Sequence, residues 1–401
     1  MAVDDLWYSK KRRGPDKKPV KLARHGRGQR WRVRYTDPNT GQPLTRSFDK
    51  KQDADLFDAN VRADISRGQY LDLRAGEVTV REYAEQWRKT QVHRERTAAR
   101  VEGAFRMHLY PHLGDMQMNK VRSTHAKKWV KDMLEELAPS TLLIELTTVR
   151  SMFESAVGEC IGRNPFKGAG VGEIDPASRY IPTAKEVHLL AKKIQPRWRP
   201  LPLLAAGTGL RPSELRGLEV GHVDFLRRVV RVEQQLIRTK THGMHIAKVK
   251  TKTSLRTVEV PQLVLDELAR HIQEFPPHPL ELTDARNPRK IQRREARLLF
   301  TSPTGQPVTD GSTWQKPWKA AVSGAGLPAD FGLHGLRHYF ATSLIHAGKS
   351  VKVVQMALGH ANPTITLNTY VHEWPGQDDR TRDVMEAALT IEDDHRGQDH
   401  G

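Results

Sequence analysis

Six side chains in the C-terminal half of the sequence could together act on a phosphodiester. In chain order they are Arg211, Lys252, His334, Arg337, His360 and Tyr370. A phosphodiester under attack gains negative charge on its non-bridging oxygens, and a guanidinium can donate two hydrogen bonds to such oxygens. A phenol can attack phosphorus, while imidazoles and an ammonium can move protons. The residue types therefore indicate phosphoryl transfer to a tyrosine, with no need for a metal ion.

Each of these residues has an ordinary structural explanation when it is taken alone. Arg211 precedes a proline that suits the first position of a helix, so Arg211 would cap that helix and Glu214 would reach back to it. His334 and Arg337 lie three residues apart and would share one helix face, where a solvated pair is common. A lone tyrosine such as Tyr370 usually packs in a core. Together, in this order, the residues favour the catalytic interpretation.

The lysine is the ambiguous member of the set. The segment from Lys248 to Arg256 alternates cations before a predicted strand, which is typical of a β-hairpin tip that carries lysines. It could also be an edge strand that its charges protect from further pairing. Lys252 fits the hairpin better, and Lys250 takes its place if the turn shifts. Lys250 is in addition a predicted DNA-binding residue.

A mixed unit of residues 178–391 must position these side chains. Helical spacing follows His334 as far as Gly348 and recurs over 351–358, and strand-like stretches occupy 229–236 and 257–260. Apolar residues at helical spacing from Arg380 to Ile391 predict a last helix beyond the tyrosine. Residues 392–401 form a polar tail.

Three segments precede this unit. Residues 76–168 have helical spacing with short breaks, which predicts a bundle of four or five helices. Residues 28–72 predict a ββ(β)α unit in which two strands can be placed, with Arg30, Arg32 and Arg34 on one sheet face as DNA-binding residues. Residues 1–27 are basic and rich in Pro and Gly, and they predict a flexible arm.

The composition indicates what kind of partner the chain has. The 401 residues carry a formal net charge of +18, which points to a polyanion. The single cysteine, Cys160, excludes an internal disulfide and a thiolate metal cluster, and it favours a reducing compartment. Neither a membrane span nor a signal peptide is evident. We therefore expect a cytoplasmic protein that binds nucleic acid.

The constellation resembles the signature boxes of the tyrosine recombinase, or phage integrase, family. The boxes stand here as TGLRPSEL at 208–215, LHGLRH at 333–338, LGH at 358–360 and Tyr370. Residues 76–168 are similar to the helical core-binding domain of the family, and their most recognisable patch is YPHLGD at 110–115. Residues 28–72 look like the small arm-binding domain of larger integrases. The resemblance thus covers most of the chain.

This resemblance implies a multidomain fold, mainly helical with small β-sheets, that ends in a mixed α+β catalytic domain. It implies that Tyr370 forms a 3′-phosphotyrosine with DNA, that His334 is the general base and that His360 is a second donor to the phosphate. Lys252 would protonate the departing 5′ oxygen, and Glu214 would support Arg211. No cofactor or ATP is implied, because the phosphotyrosine keeps the bond energy for rejoining.

The implied partner is double-stranded DNA at attachment sites, bound by a homotetramer, with accessory bending or directionality factors as further partners and no membrane. The last helix could dock on a neighbouring subunit or on its own chain. Site-specific integration or excision of a mobile element is the expected activity. Two alternatives stay open, a type IB topoisomerase and a DNA-binding protein without catalysis. The units before residue 168 favour the recombinase over the first, and the complete set of six residues disfavours the second.

Overall fold

The computed structural model describes residues 2–13, 15–38, 41–68, 70, 74–173, 180–308 and 312–373. The chain divides into two compact units, residues 1–176 and 177–401. The last helix predicted from Arg380 to Ile391, the polar tail 392–401 and the boundary predicted at residue 178 lie outside the described residues. Within the described part of the chain, no helix is both long enough and apolar enough to cross a membrane.

A small antiparallel sheet with strand order β1–β4–β5 lies at the start of the first unit. The strands and the helix of this region are β1 (Ala2–Asp5), β2 (Tyr8–Arg13), β3 (Pro19–Lys21), β4 (Trp31–Thr36), β5 (Pro43–Phe48) and α1 (Lys51–Ser66). The expected flexible arm over 1–27 is wrong, because β1 pairs with β4 and β2 pairs with β3. β1 is the third strand that the sequence pattern did not locate. Val33 of the sheet and Ala54 of α1 are fully buried.

Helices account for most of residues 74–173. They are α2 (Val80–Thr90), α3 (Glu95–Ala104), α4 (Tyr110–Leu113), α5 (Ser123–Glu136) and α6 (Pro139–Ser155), with a π-helical turn at Phe105–Leu109. Their apolar faces share one core that includes Trp129 and Phe153. A capping box starts α2, since Thr79 and Glu82 each accept a backbone N–H bond from the other. This part has the helical character that the spacing predicts.

The second unit is built around α8, a helix that is apolar on nearly all sides and almost entirely buried. The helices are α7 (Ala184–Lys193), α8 (Pro200–Thr208), α9 (Pro212–Arg216), α10 (Gln262–Glu274), α11 (Ser312–Gly324), α12 (Leu333–His346), α13 (Val351–Leu358) and α14 (Pro363–Tyr370). α7, α10 and α12 pack against α8. The C-terminal end of α8 therefore lies where α9 and α12 can bring their polar residues together.

Two sheets complete the second unit, with orders β10–β7–β6 and β12–β11–β9–β8. The strands are β6 (Val223–Asp224), β7 (Val229–Val232), β8 (Gln234–Thr239), β9 (Gly243–Lys248), β10 (Arg256–Glu259), β11 (Leu280–Asp284) and β12 (Gln292–Ala296). The stretch predicted over 229–236 is two strands, which belong to different sheets. The predicted lysine-bearing hairpin tip is also wrong. β8 and β9 pair as far as Thr239 opposite Gly243, so the chain reverses there and the lysines follow in the link to β10.

Candidate active site

Arg211 lies at the junction between α8 and α9. α8 ends at Thr208, Gly209 turns the chain with a φ of +60°, and α9 begins with Arg211 as its cap residue. The backbone N–H of Arg211 donates to the Glu214 carboxylate at 3.0 Å, as the capping pattern predicts. Nη1 of Arg211 donates to Oε1 of the same carboxylate at 2.8 Å. The local helix start thus fixes the direction of the guanidinium.

The Glu214 carboxylate is shared by two arginines. It is 2% exposed, and Nη2 of Arg256 donates to its second oxygen at 3.0 Å. Burial alone would raise the pKa of Glu214, but the charges of Arg256 and Arg211 outweigh burial and lower it. The carboxylate is therefore ionised at neutral pH. It contacts Arg211 directly, and its supporting role stays a prediction.

Arg337 is among the most buried charged residues of the described chain, with 2% of its surface exposed. Nη1 donates to the carbonyl of Gly209 at 2.6 Å and Nη2 to the carbonyl of Leu358 at 2.7 Å. Burial, together with the charges of Arg211 and Arg256, lowers the pKa of Arg337 to about 9. No carboxylate forms an ion pair with this guanidinium among the described residues.

The C-terminal end of α13 holds all three guanidiniums. Three successive carbonyl oxygens accept from them: Ala357 from Arg256 at 2.8 Å, Leu358 from Arg337 at 2.7 Å and Gly359 from Arg211 at 3.0 Å. The last carbonyls of a helix have no partner within the helix and carry partial negative charge. They orient the arginines without cancelling their charge. We call Arg211, Arg256 and Arg337, with Glu214, the guanidinium cradle.

Arg256 is a member of the cradle that sequence reasoning did not single out. Its side chain is 6% exposed, and Nη1 also donates to the carbonyl of Ser254 at 3.1 Å. It lies at the end of the segment that alternates cations, and no local pattern separates it from the neighbouring cations. Its partner Glu214 is 42 residues away, so only the fold reveals the pair.

The segment from Lys248 to Arg256, which we call the lysine segment, reaches the cradle through a 3₁₀ turn at Lys252–Ser254. Oγ of Ser254 accepts from Nη1 of Arg211 at 3.2 Å. Lys250 and Lys252 are both exposed beside this turn. The assignment of Lys252 as general acid, with Lys250 as the alternative, stays a prediction.

His360 follows the cap of α13 directly. Its Nδ1 lies 2.9 Å from Oγ1 of Thr366, and the ring is buried. Burial, together with the charges of Arg337, Arg211 and Arg256, lowers the pKa of His360 to about 4. The imidazole is therefore neutral at pH 7, so it can donate a hydrogen bond to a phosphate but adds no charge.

Tyr370 is the last residue of α14 and is 3% exposed. Its hydroxyl lies 2.8 Å from Nδ1 of His338, and either atom can donate, depending on the imidazole tautomer. His334, predicted as the general base, is exposed and touches His338 edge-on, with 4.8 Å between ring centroids. His338 stands in the LHGLRH box, but nothing in its local sequence singles it out. One helical turn separates the two histidines, and the helix alone does not tell which one meets the tyrosine.

The arginines predicted to bind DNA in the N-terminal sheet are paired with carboxylates of β1. Arg30 lies 2.8 Å from Asp5, Arg34 lies 2.7 Å from Asp4, and Arg32 lies 3.7 Å from Asp4. These pairs tie β1 to β4 and neutralise part of the basic face. DNA binding by this face stays a prediction.

The cradle is suited to an anion. It holds three guanidiniums, of which two share one carboxylate, while a phenol and imidazoles lie close by. Among the described residues, no group of three or more His, Cys, Asp or Glu side chains could hold a metal ion. The arrangement can bind a phosphodiester and present it to a tyrosine, which is the chemistry that the residue types indicate.

Comparisons of sequence agree with this geometry. Residues 183–376 match the phage integrase family, and residues 79–134 match the N-terminal SAM-like domain of phage integrases. A tyrosine recombinase XerC-like protein of Caldanaerobacter subterraneus subsp. tengcongensis is 28% identical over 302 residues, which cover 70% of this chain and 75% of the relative. A putative prophage phiRv2 integrase of Mycobacterium tuberculosis is 23% identical over 87% of this chain and 90% of its own.

Solved structures confirm the predicted fold class. The Tn1549 transposon integrase in complex with transposon right end DNA has a TM-score of 0.66 and 27% identity, covering 78% of this chain and 100% of that one. A lambda integrase dimer bound to a COC′ core site shares the fold, with a TM-score of 0.52, 15% identity, and coverage of 84% and 91%. The chain belongs to the phage integrase family of site-specific DNA recombinases.

Proposed function

We propose that the chain binds attachment sites in double-stranded DNA and exchanges strands through a phosphotyrosine at Tyr370, which integrates or excises a mobile element. The observation that carries the proposal is the guanidinium cradle on the end of α13, with the tyrosine at the end of the next helix. The Tn1549 transposon integrase was solved in complex with transposon right end DNA, which supports DNA as the partner.

The proposed step needs only groups of this chain and the DNA. The phenol oxygen of Tyr370 attacks phosphorus, and the bond from phosphorus to the 5′ oxygen breaks as the new bond forms. Arg211 and Arg337 donate to the non-bridging oxygens, where charge accumulates. The departing 5′ oxygen takes a proton from Lys252, or from Lys250 as the alternative. A 5′ hydroxyl of another strand reverses the step and rejoins the DNA without ATP.

The nucleophile is tested by Tyr370→Phe. Binding should stay near the wild-type level, because one hydroxyl contributes little beside many phosphate contacts, and the covalent protein–DNA adduct should disappear. Tyr339→Phe, on α12, is the matched control and should form adduct normally. The assay looks for a denaturant-resistant adduct on nicked attachment-site DNA. An adduct with Tyr370→Phe would assign the nucleophile to another residue.

We propose that His338 receives the proton of the phenol, because it is the imidazole in contact with the hydroxyl. His338→Ala should slow adduct formation by about 10²–10⁴-fold, the usual contribution of a general base. The same change at His334, the base predicted from the sequence, should cost less. If His334→Ala slows adduct formation more than His338→Ala does, and if His338→Ala leaves the pH–rate profile unchanged, then His334 is the general base, as the sequence predicts.

The lysine is tested with a substrate whose bridging 5′ oxygen is replaced by sulfur. A thiolate leaves without protonation, so this substrate repairs the loss of a general acid. We expect Lys252→Ala to be slow on normal DNA and to be largely rescued on the sulfur substrate, whereas Arg211→Lys stays slow on both. Rescue of Lys250→Ala instead would assign the acid to Lys250.

We infer that four copies act on two duplexes, because exchange of both strands between two sites requires four cleavages. The lambda integrase, which shares the fold, is described as a tetramer bound to a Holliday junction. Sedimentation of the protein with two trapped attachment sites should give four chains per pair of duplexes. Complete recombination by complexes with two chains would contradict this assembly.

A further inference from the structure

The hairpin of β11 and β12 carries its arginines in two different environments. Along the strands, Arg293 lies 3.0 Å from Glu281, and just after the end of β11 Arg286 lies 2.6 Å from Asp284. Arg294 lies 2.6 Å from Glu219 and also contacts Asp284. These pairs hold the two strands together and attach them to the rest of the unit.

The tip of the hairpin has a different charge pattern. Arg289 and Lys290 are both exposed, and neither side chain has a carboxylate partner among the described residues. The turn itself is ordered by Asn287, whose side chain accepts from the backbone of Arg289 at 3.0 Å and whose carbonyl accepts from the backbone of Lys290 at 3.0 Å. Ile291 beside them is 46% exposed. The tip therefore presents two unneutralised cations on a fixed turn.

Strand direction places this tip beside the lysine segment of the active site. β11 runs parallel to β9, with Thr283 opposite His245 and Asp284 opposite Ile246. The C-terminal ends of both strands therefore lie at one edge of the sheet, where β9 leads into the lysine segment and β11 into the tip. Lys248 and Lys290 line the same cleft. The 3₁₀ turn that follows Lys248 is bonded to Arg211 through Ser254.

We propose that the tip of the β11–β12 hairpin is a phosphate-binding contact of the catalytic unit, which holds the DNA backbone next to the cleaved phosphodiester. The proposal rests on the proposed function for its ligand, since the duplex that enters the cradle must pass the edge that carries the lysines. Two cations on an ordered turn recognise phosphates without reading bases, so the contact contributes affinity and register but no sequence preference. The ion pairs of Asp284 and Glu281 hold the two strands that carry this turn.

The salt dependence of DNA binding tests the contact in the full-length chain. In Arg289→Ala/Lys290→Ala, the slope of log K against log salt should flatten by about 0.9 for each phosphate that the variant no longer binds. The matched control is Lys192→Ala/Lys193→Ala, which removes two adjacent exposed lysines from α7. The probe is a nicked attachment-site duplex of about three helical turns, roughly 30 base pairs.

A cross-link locates the contact on the DNA. The only native cysteine, Cys160, is 5% exposed, and burial raises its pKa to about 11, so a thiol introduced at the surface reacts selectively. Lys290→Cys, carrying a photo-cross-linker, should attach to backbone within about half a helical turn, roughly 5 base pairs, of the phosphotyrosine. Lys192→Cys should not attach there.

Three results would overturn the proposal. The first is a salt slope in the tip variant equal to that of the α7 control, and the second is a cross-link remote from the cleaved phosphate. The third is normal binding to a single duplex with loss of paired complexes only, since the tip would then contact a second copy of the chain. The proposed function fails separately, if the wild-type chain forms no adduct at all.

Discussion

The arginines of the N-terminal sheet and Arg337 of the guanidinium cradle satisfy their hydrogen bonds in different ways. In the sheet, Arg30 and Arg34 are bonded to carboxylates of β1, and the Arg34 side chain is 57% exposed. In the cradle, Arg337 is bonded to two backbone carbonyls and is 2% exposed. A carboxylate cancels the charge that it binds, whereas a carbonyl leaves it almost intact.

The pKa values of the two regions reflect this difference. A hydrogen bond to Asp5 raises the pKa of Arg30, so its charged form is stabilised within the protein. Burial and neighbouring arginines lower the pKa of Arg337, so its charged form is destabilised until an anion arrives. Basic residues in one chain can thus hold elements together or be kept ready for a ligand. The partner atoms decide which of the two occurs.

Arg337→Lys should have the largest effect. Lysine has no planar fork to bridge Gly209 and Leu358 while facing a phosphate, so adduct formation should fall by at least about 10²–10³-fold, the cost of removing one donor to a developing charge. Arg30→Lys is the matched change in the sheet and should leave the rate within about twofold of wild type. Equal rates in the two variants would remove the distinction between the regions.

Glu214→Gln should lower the free energy of unfolding by roughly 3 kcal/mol, because it removes one member of a buried ion pair. Since the folded pKa of Glu214 is lowered, its stabilisation is present above the unfolded pKa of about 4.3 and is lost as pH falls through the folded value. In denaturant titrations between pH 7 and the acid range, the free energy of unfolding should lose this contribution in wild type but not in Glu214→Gln. Asp5→Asn, which removes one member of the more exposed pair with Arg30, should lower the free energy of unfolding by less. An equal loss of stability would contradict the contrast between the two regions.

His360 should report whether an anion fills the cradle. Its folded pKa of about 4 lies below the unfolded value near 6.5, so its contribution to stability is complete above pH 6.5 and is lost as pH falls toward 4. A bound DNA phosphate should raise this pKa by offsetting the charges of Arg337 and Arg211. NMR titration of the imidazole signals, assigned with His360→Gln, measures the shift. His271, whose pKa burial also lowers, is the control that should not move.

Asp4→Asn/Asp5→Asn should have the smallest effect. Releasing Arg30, Arg32 and Arg34 should strengthen binding to long attachment DNA by a few fold, about 1 kcal/mol or less, and should steepen the salt slope. Asp16→Asn, which removes an exposed carboxylate near Lys18, is the control. If affinity and slope both stay at the control values, this face does not contact DNA.

Local patterns predicted the parts of the site that depend on local structure. The cap at Arg211 with Glu214 follows from a helix start, and the pair His334 and Arg337 follows from one helical turn. Arg256 was missed because its partners are distant in the chain. The predicted position of the lysines was wrong because β8 and β9 reverse earlier than the cation pattern suggests.

The strands that were missed have the same kind of cause. β1 is held by ion pairs to β4 and ends in two aspartates, so its sequence shows no apolar alternation. β12 reads QRREA and exposes most of its residues, and β11 pairs in parallel with β9 from a distant part of the sequence. Strands stabilised by charge and by remote partners carry little signal in a local window. The helices carry a much stronger local signal, because their apolar periodicity reflects packing against a core within the same unit.

The three carbonyls at the end of α13 also determine when the site can exist during synthesis. Arg211 and its acceptor Gly359 are 148 residues apart, and Arg337 bonds to Gly209 across 128 residues. Contacts of such long range form late in folding, because the loops between them must close first. A growing chain therefore contains Arg211 long before anything can orient it. Under the proposed function, DNA cleavage must wait until synthesis has passed Gly359, so shorter products have no assembled site with which to cut the genome.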